Sequence, residues 1–565
     1  MKLFKKMRSW WNCGEHQFYL YIWVLIVPNV ALNFTEPLSV AAKLCNLLLP
    51  FSCYYLLMTL SKNYGRMFWL LFPFAFLGAF QIVLLYLFGH SIIAVDMFLN
   101  LVTTNSSEVF ELLNKLLPAI GTVLILYIPP LVTATIAILK KHRLRSDFLR
   151  VNRKRAFFLS VAGLLSLGIA ASVDSQYAAK RQLFPCNVLY NAGLAWERSV
   201  QSEAYYHTSA GYLFHAHPTH PEAPREIYVL VVGETSRADD WSLCGYGRDT
   251  NPKLSREDGL TSFADALSES NTTHKSVPML LSEVHAPDFD SIYYRKGVIT
   301  AFKEAGFHTA FFSNQRYNRS FIDFFGKEAD TWRFIKEEAE RGNKNPLDEE
   351  LLPLVVDELA KGYRKQLIVL HTYGSHFNYH ERYPQSAACF LPDRPDDARV
   401  EYRNNLLNAY DNSIRYTDDL LARLIDLLKQ TQVDAALLYT SDHGEDIFDD
   451  RRELFLHASP IPSYYQIHVP FLVWMSDNYR RNYPTLYAAA LQNREKRISS
   501  SASFFHTAVG LAGIDMPVRN DTLSVVSPLF REHAALYLDD HNRALPLEDT
   551  GMGEEDFRLL NKKSV

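Results

Sequence analysis

The chain has 565 residues, too many for one ordinary domain, with 58 Lys and Arg against 62 Asp and Glu and a net charge of -4. That balance gives no basic footprint for a nucleic-acid partner. A mean hydropathy of -0.10 averages over two unlike halves: residues before about 176 read as membrane, and those after about 225 as a water-soluble α/β domain.

Five apolar stretches, 17–34, 38–60, 67–89, 117–139 and 156–173, each approach the roughly 20 residues a helix needs to cross a bilayer. The first lacks a small-residue cleavage site and further spans follow it, so it reads as a span rather than a signal peptide. Lys2, Lys5, Lys6 and Arg8 precede the first span, Lys62 and Arg66 sit between the second and third, and residues 140–155 carry eight Lys or Arg between the fourth and fifth. The alternate connections, around Glu36 and from His90 to Leu116, carry only Lys115. Basic loops stay on the cytoplasmic side, so the N-terminus is expected inside and everything after Val173 outside.

Residues 96–115 (DMFLNLVTTNSSEVFELLNK) are too polar to span. Phe98, Leu101, Val109, Leu112 and Leu113 give a helix there one apolar face for the membrane interface. Asn100, Thr104 and Glu108 recur every four residues and share one face; taken alone, they read as a solvated polar stripe. From 176 to 225 the aromatics Trp196, Tyr205, Tyr206, Tyr212 and Phe214 suit helices at headgroup level. This segment ends in the proline-rich FHAHPTHPEAPRE, where His215, His217 and His220 read as part of a flexible linker rather than as metal ligands. The expected division is a transmembrane domain over 1–175, interfacial helices and linker over 176–225, and a catalytic domain over 226–565.

Beyond Glu226, short apolar runs at 226–232, 309–312, 366–370, 435–440 and 470–474 read as strands. They alternate with helical patterns at 294–305 and 405–430, the latter with Leu420, Leu424, Leu427 and Leu428 at helical spacing. Strands this apolar predict a mostly parallel sheet covered on both faces. Such sheets bind ligands beyond the carboxyl ends of their strands. Just past those ends stand Glu234 in GET, His371 and His376 in HTYGSH, and Asp442 with His443 in SDHGE, with His457 in the next loop. An isolated Asp-His pair is commonly a turn with a surface histidine, but three strand tips carrying oxygen and nitrogen donors together favour a zinc site. The loop SNTTHKSVPM at 270–279 adds two threonine hydroxyls, Thr272 and Thr273. Either serves as a helix cap or as a nucleophile that loses its proton on a metal, and the residues alone do not separate the two. Of six cysteines only Cys186, Cys244 and Cys389 lie outside the membrane half, which allows one disulfide at most.

With these motifs assembled, the sequence resembles the lipopolysaccharide phosphoethanolamine transferases of the alkaline phosphatase/sulfatase superfamily over nearly its whole length. The five spans carry the resemblance, with VVGETSRADDWSLCGYGRDTNP at 231–252, the Thr loop ending SVPM, HTYGSHFNYHERYP at 371–384, YDNSIRYTDD at 410–419, TSDHGE at 440–445 and FFHTAVGLAGI at 504–514. The resemblance implies a five-helix membrane domain followed by a sulfatase-like α/β domain. It implies zinc held by Glu234, Thr273, Asp442 and His443, with Thr273 as the nucleophile five residues before Pro278. His376 and His457 match a second histidine pair that contacts the phosphoryl group or a second zinc. Asn100, Thr104 and Glu108 match interfacial residues that shape the lipid site. The donor is then phosphatidylethanolamine and the acceptor lipopolysaccharide or lipid A, in a ping-pong reaction through a phosphoethanolamine-threonine. The implied setting is the bacterial inner membrane, with a monomeric enzyme whose catalytic domain is periplasmic, and a link to polymyxin resistance. Lipid A-specific members flank the nucleophile loop with disulfide-bonded cysteines, whereas Ser270 and Met279 stand at the corresponding positions here. That leaves lipid A phosphate, core heptose and other envelope glycans open as acceptors. A phosphoglycerol transferase is the nearest alternative activity. A sulfatase would need a Cys or Ser for formylglycine where Thr273 stands, and a membrane sensor or transporter would carry ionisable residues in its spans, which these stretches almost entirely lack.

Overall fold

The structure, a computed structural model, describes residues 13–36, 38–88, 93–98, 117–174, 177–220, 225–340 and 345–562. The segment holding Asn100, Thr104 and Glu108 lies outside them. The chain divides into two compact units, Met1–Ser199 and Val200–Val565.

In the first unit the apolar stretches are helices: α1 (Gly14–Thr35), α2 (Val40–Met58), α3 (Tyr64–Leu70), α4 (Phe72–Phe88), α5 (Leu117–Leu139) and α6 (Ser146–Val173). Four are long and apolar enough to cross a bilayer, and the α3–α4 pair, bent by 57°, makes a fifth if it counts as one span. The bend falls where Pro73 enters the first turn of α4; a proline ring clashes with the carbonyls of a preceding turn and cannot continue its ladder. Between α1 and α2 the buried amide of Asn29 donates to Asn46 Oδ1 at 2.9 Å, and Asn46 donates to Asn33 Oδ1 at 2.7 Å. Polar groups at membrane depth are satisfied inside the protein in this way. Helix α6 starts at Ser146, within the basic segment expected as a loop, because its Lys and Arg residues are good helix formers.

In the second unit, the described residues form one eight-stranded sheet. Its strands are β1 (Glu226–Gly233), β2 (Leu260–Leu267), β3 (His308–Ser313), β4 (Thr331–Phe334), β5 (Lys365–His371), β6 (Asp434–Ser441), β7 (His468–Met475) and β8 (Ile498–Ser499). Their order is β8-β2-β7-β6-β1-β5-β3-β4. All five expected strands are present. The sheet is mostly parallel, as expected, and is made mixed by β7 alone, which runs antiparallel to both β2 and β6 while the other pairings are parallel. The reason lies in the β6–β7 connection, which stays at the carboxyl edge of the sheet and returns without a crossover.

Every residue of β1, β6 and β7 is buried. Alternation along β1 sends Tyr228, Leu230 and Val232 into one core, and Ile227, Val229 and Val231 into the other. Helix α7 (Arg403–Thr431) covers the second core with Leu420, Leu421, Leu424, Ile425 and Leu428. The helix expected at 294–305 is shorter, Val298–Glu304, because Gly297 N–H is drawn to the Glu328 carboxylate at 3.0 Å and a 3-10 turn precedes it. The strip expected as a flexible linker is docked on this unit. His217 and Pro218 pair with Asp515 and Ile514, and His220 stacks on Tyr483 at 4.0 Å. Tyr205 and Phe214, expected at headgroup level, are instead buried in the first core, where Tyr205 stacks on Phe324 at 5.1 Å. All six cysteines are free thiols.

Candidate active site

Four parallel strands deliver the site at their carboxyl ends: β1 leads into Glu234, β6 into Asp442 and His443, β5 into Tyr373 and His376, and β3 into Gln315. Thr272 caps the short helix Thr273–Leu280 in extended conformation, so Thr273 is its first residue and faces the strand tips. Thr235 holds a left-handed φ of 58°, a conformation that costs a non-glycine residue about 1 kcal/mol or more. The twist lets its N–H reach Asp442 Oδ1 at 3.1 Å and its hydroxyl reach Glu234 Oε1 at 2.8 Å. Gly374, with φ of 52°, passes so close to Glu234 that a Cβ there would lie 2.5 Å from its carbonyl oxygen.

Glu234, Asp442 and His443 are buried, and one ligand atom from each lies within 4.8 Å of the others. His443 Nε2 stands 3.5 Å from Glu234 Oε1 and 3.3 Å from Asp442 Oδ2. The Gly444 carbonyl, 2.9 Å from His443 Nδ1, can only accept. The ring proton therefore sits on Nδ1, and Nε2 presents a lone pair to the carboxylates. The Thr273 hydroxyl lies between them, 3.1 Å from Glu234 Oε1 and 3.2 Å from His443 Nε2. Its single proton has two acceptors. Thr272 is turned elsewhere, with its hydroxyl 3.1 Å from Ser270 Oγ.

Burial, and then the charge of Asp442, push the Glu234 carboxyl well above its usual range, while burial keeps the His443 ring below its ordinary value. Two carboxylates and an imidazole lone pair repel one another in a dry site, and a divalent cation among them removes the repulsion. Two oxygen donors, one nitrogen and a hydroxyl make a borderline-hard set of the kind zinc takes. The donors fit the metal.

His457 and His376 stand outside the triad. The ring of His457 is 4.2 Å from that of His443, and the ring of His376 is 5.9 Å from that of His457. Burial lowers His457 to about 4. Burial, and then neighbouring His457 and Arg382, hold His376 well below its usual value. Both rings are neutral. Nδ1 of His376 is bonded to the Phe377 carbonyl at 2.7 Å, and Nδ1 of His457 is 3.4 Å from Glu445 Oε1. His371, which also stands at a strand tip, is not part of the group; its Nδ1 lies 3.3 Å from Ser313 Oγ, inside the sheet edge.

Several supporting residues were not singled out from the sequence. Gln315 Nε2 donates to Glu234 Oε2 at 3.3 Å and to the Thr372 carbonyl at 3.0 Å. Ser276 Oγ donates to Asp442 Oδ2 at 3.3 Å. Arg237, buried, donates to the Glu445 carbonyl at 3.0 Å and to Asp449 at 2.6 Å. The Tyr410 hydroxyl links Arg237 N–H to the Thr235 carbonyl at 2.9 and 2.7 Å. Gln315 was within reach of the strand-tip argument, since SNQ directly follows TAFF.

Known proteins place this geometry in context. Residues 226–514 match the sulfatase family. Phosphoethanolamine transferase EptA of Salmonella typhimurium is 29% identical over 458 residues, covering 78% of this chain and 82% of that protein. The Kdo(2)-lipid A phosphoethanolamine 7''-transferase of Escherichia coli K12 is 28% identical over 361 residues, covering 59% of this chain and 60% of that protein. The integral membrane lipooligosaccharide phosphoethanolamine transferase A of Neisseria meningitidis shares the fold, with a TM-score of 0.70 at 21% identity over 90% of this chain and 97% of its own.

Proposed function

The chain belongs to the sulfatase family, and from that premise we propose that it transfers phosphoethanolamine from phosphatidylethanolamine to a lipopolysaccharide acceptor through a covalent intermediate on Thr273. The observation that carries the reading is the Thr273 hydroxyl held between Glu234 Oε1 and His443 Nε2, at 3.1 and 3.2 Å. A hydroxyl so placed is an activated nucleophile, and relatives named as phosphoethanolamine transferases supply the group it carries.

Glu234, Asp442 and His443, with the Thr273 oxygen, would hold a zinc ion. When bound, zinc lowers the pKa of a coordinated hydroxyl and offsets charge on the phosphoryl oxygens. The chain's own part runs in two halves. First, Thr273 Oγ1 bonds to phosphorus as the bond to the diacylglycerol oxygen breaks, and the hydroxyl proton, released toward Glu234 Oε1, ends on that departing oxygen. Then the acceptor oxygen attacks the same phosphorus and the Thr273–phosphorus bond breaks. Neutral His457 or His376, beside the triad, relays the acceptor's proton, which ends on the freed Thr273 oxygen. Asn100, Thr104 and Glu108 complete the lipid site in this reading. The spans anchor the chain in the bilayer that supplies both lipids, which contributes proximity rather than chemistry. The enzyme works as a monomer in the inner membrane with its catalytic unit in the periplasm.

Incubation of the purified protein with phosphatidylethanolamine, followed by intact-mass and peptide-fragment analysis, tests the reading. A phosphoethanolamine adduct on Thr273 is expected. A phosphoglycerol adduct formed from phosphatidylglycerol instead would reassign the enzyme to the sister activity. A phosphatase reporter fused after Arg225 should be active and one fused near Arg150 silent, and the reverse pattern sinks the periplasmic assignment.

A further inference from the structure

Beyond His376 the file of rings continues. Tyr373 stacks on His376 with centroids 5.1 Å apart and planes 15° apart. Two cations sit on the Tyr373 ring: Lys336 Nζ is 3.0 Å from its centroid, and the Arg382 guanidinium carbon is 4.3 Å away. Tyr373, Lys336 and Arg382 are 7%, 6% and 6% exposed. Lys336 lies two residues past the end of β4 and Tyr373 two residues past the end of β5, so both lie at the carboxyl edge that carries Glu234, Asp442 and His443. In a sheet of this kind that edge is where ligands bind. None of the three residues takes part in the reaction described above.

Arg382 directs Nε to the Asn378 carbonyl at 3.1 Å and Nη2 to Glu381, a rim carboxylate with 40% of its side chain exposed, at 3.3 Å. Its Nη1 makes no hydrogen bond among the described residues. A guanidinium and an ammonium gathered on one ring supply the two kinds of group that commonly bind a phosphate, the first giving directional hydrogen bonds and the second a compact charge. The aromatic face between them holds both cations in a partly dehydrated setting, where their attraction for an anion is stronger than in water.

We propose that Lys336 and Arg382, gathered on Tyr373, form a subsite beside His376 for a phosphate monoester carried by the acceptor glycolipid, distinct from the phosphoryl group in transit. The subsite rests on the transferase reading, and it narrows the acceptor from any envelope glycan to a phosphorylated one. One phosphate of such an acceptor is held on the two cations while a second oxygen of the same molecule attacks phosphorus.

The test uses the full chain in nanodiscs containing phosphatidylethanolamine, with two acceptors compared: lipid A bearing both phosphates, and its monophosphoryl form. Wild type should favour the bisphosphoryl acceptor in kcat/KM, through KM, by about tenfold, the order expected for one charge-assisted contact. Lys336→Met and Arg382→Gln should erase that preference, and Lys336→Arg should restore it. All three variants should still form the Thr273 adduct from donor alone and keep their metal. Equal use of the two acceptors by wild type, or an undiminished preference in Lys336→Met, overturns the subsite. So does a Lys336→Met protein that no longer forms the adduct, which marks Lys336 as structural. Failure of wild type to form the adduct from donor alone is a separate result and sinks the transferase reading itself.

Discussion

Thr273 Oγ1 lies 3.2 Å from His443 Nε2, and that nitrogen is an acceptor because the Nδ1–H of the same ring is committed to the Gly444 carbonyl at 2.9 Å. The tautomer of one histidine thus gives the hydroxyl proton a second acceptor beside Glu234, whereas the neighbouring Thr272 hydroxyl pairs with that of Ser270.

Thr273→Ala should abolish both adduct and transfer while changing stability by no more than about 1 kcal/mol, since a half-buried hydroxyl at a helix start contributes little else. Thr273→Ser should keep part of the activity. Thr272→Ala should stay active, because its hydroxyl is spent on Ser270. Intact-mass analysis reads all three, and an adduct mapped to Thr272 would refute the assignment.

Metal content separates the histidines. Asp442→Asn and His443→Ala should lose most of the zinc, each removing one of few ligands. His376→Ala and His457→Ala should retain it and lose turnover. Metal analysis of the four purified variants decides the matter: equal zinc loss in His457→Ala and His443→Ala would show that the ligand set has been drawn too small.

Gln315 pins the far oxygen of Glu234 at 3.3 Å while Thr235 and Thr273 hold the near one. Groups that orient a metal ligand typically contribute about 10–100-fold to affinity, so Gln315→Ala should weaken zinc binding by that order in a competition titration with a chelator. An unchanged zinc affinity with a raised KM for the donor lipid would show instead that Gln315 acts on substrate.

Burial depresses His371 from 6.5 to about 4. A group whose folded value is depressed contributes stability that is present above its unfolded value and lost as pH falls through the folded one. For His371 that is about 3 kcal/mol, held above pH 6.5 and withdrawn by about pH 4. His371→Asn removes the titrating ring, so its denaturant midpoint should fall less steeply than that of wild type between pH 6.5 and 4. Parallel acid limbs would mean that His371 does not carry the dependence.

The sequence made the site legible because its parallel strands are so apolar that each ends abruptly at its first charged residue. Glu234, Asp442 and His376 could be placed at one edge without knowing strand order. The bundle was legible for a similar reason, since basic residues punctuate the apolar runs. Strand β2 escaped because LTSFADAL interleaves Asp265 and small residues that have low strand preference and gain burial only from β7 and β8. The reversed direction of β7 escaped because a buried strand reads the same either way. Arg237 acts through contacts between distant loops, which no local pattern encodes, while Gln315 stood at a strand tip and escaped because a neutral amide is not a metal donor of the kind sought. Between Thr272 and Thr273 the residues alone gave no choice; the extended backbone of Thr272 and the helical start at Thr273 separate them.

The missing side chain of Gly374 carries a further consequence. With 2.5 Å between an added Cβ and the Glu234 carbonyl oxygen, the HTYGSH and GET loops are set at one fixed spacing. Neither can be exchanged alone. Grafting a relative's histidine loop to change the acceptor should fail unless its GET loop is moved with it, and variation in the two segments is expected to be inherited jointly. For directed evolution, the smallest exchangeable part of this active site is a pair of loops separated by more than a hundred residues of chain.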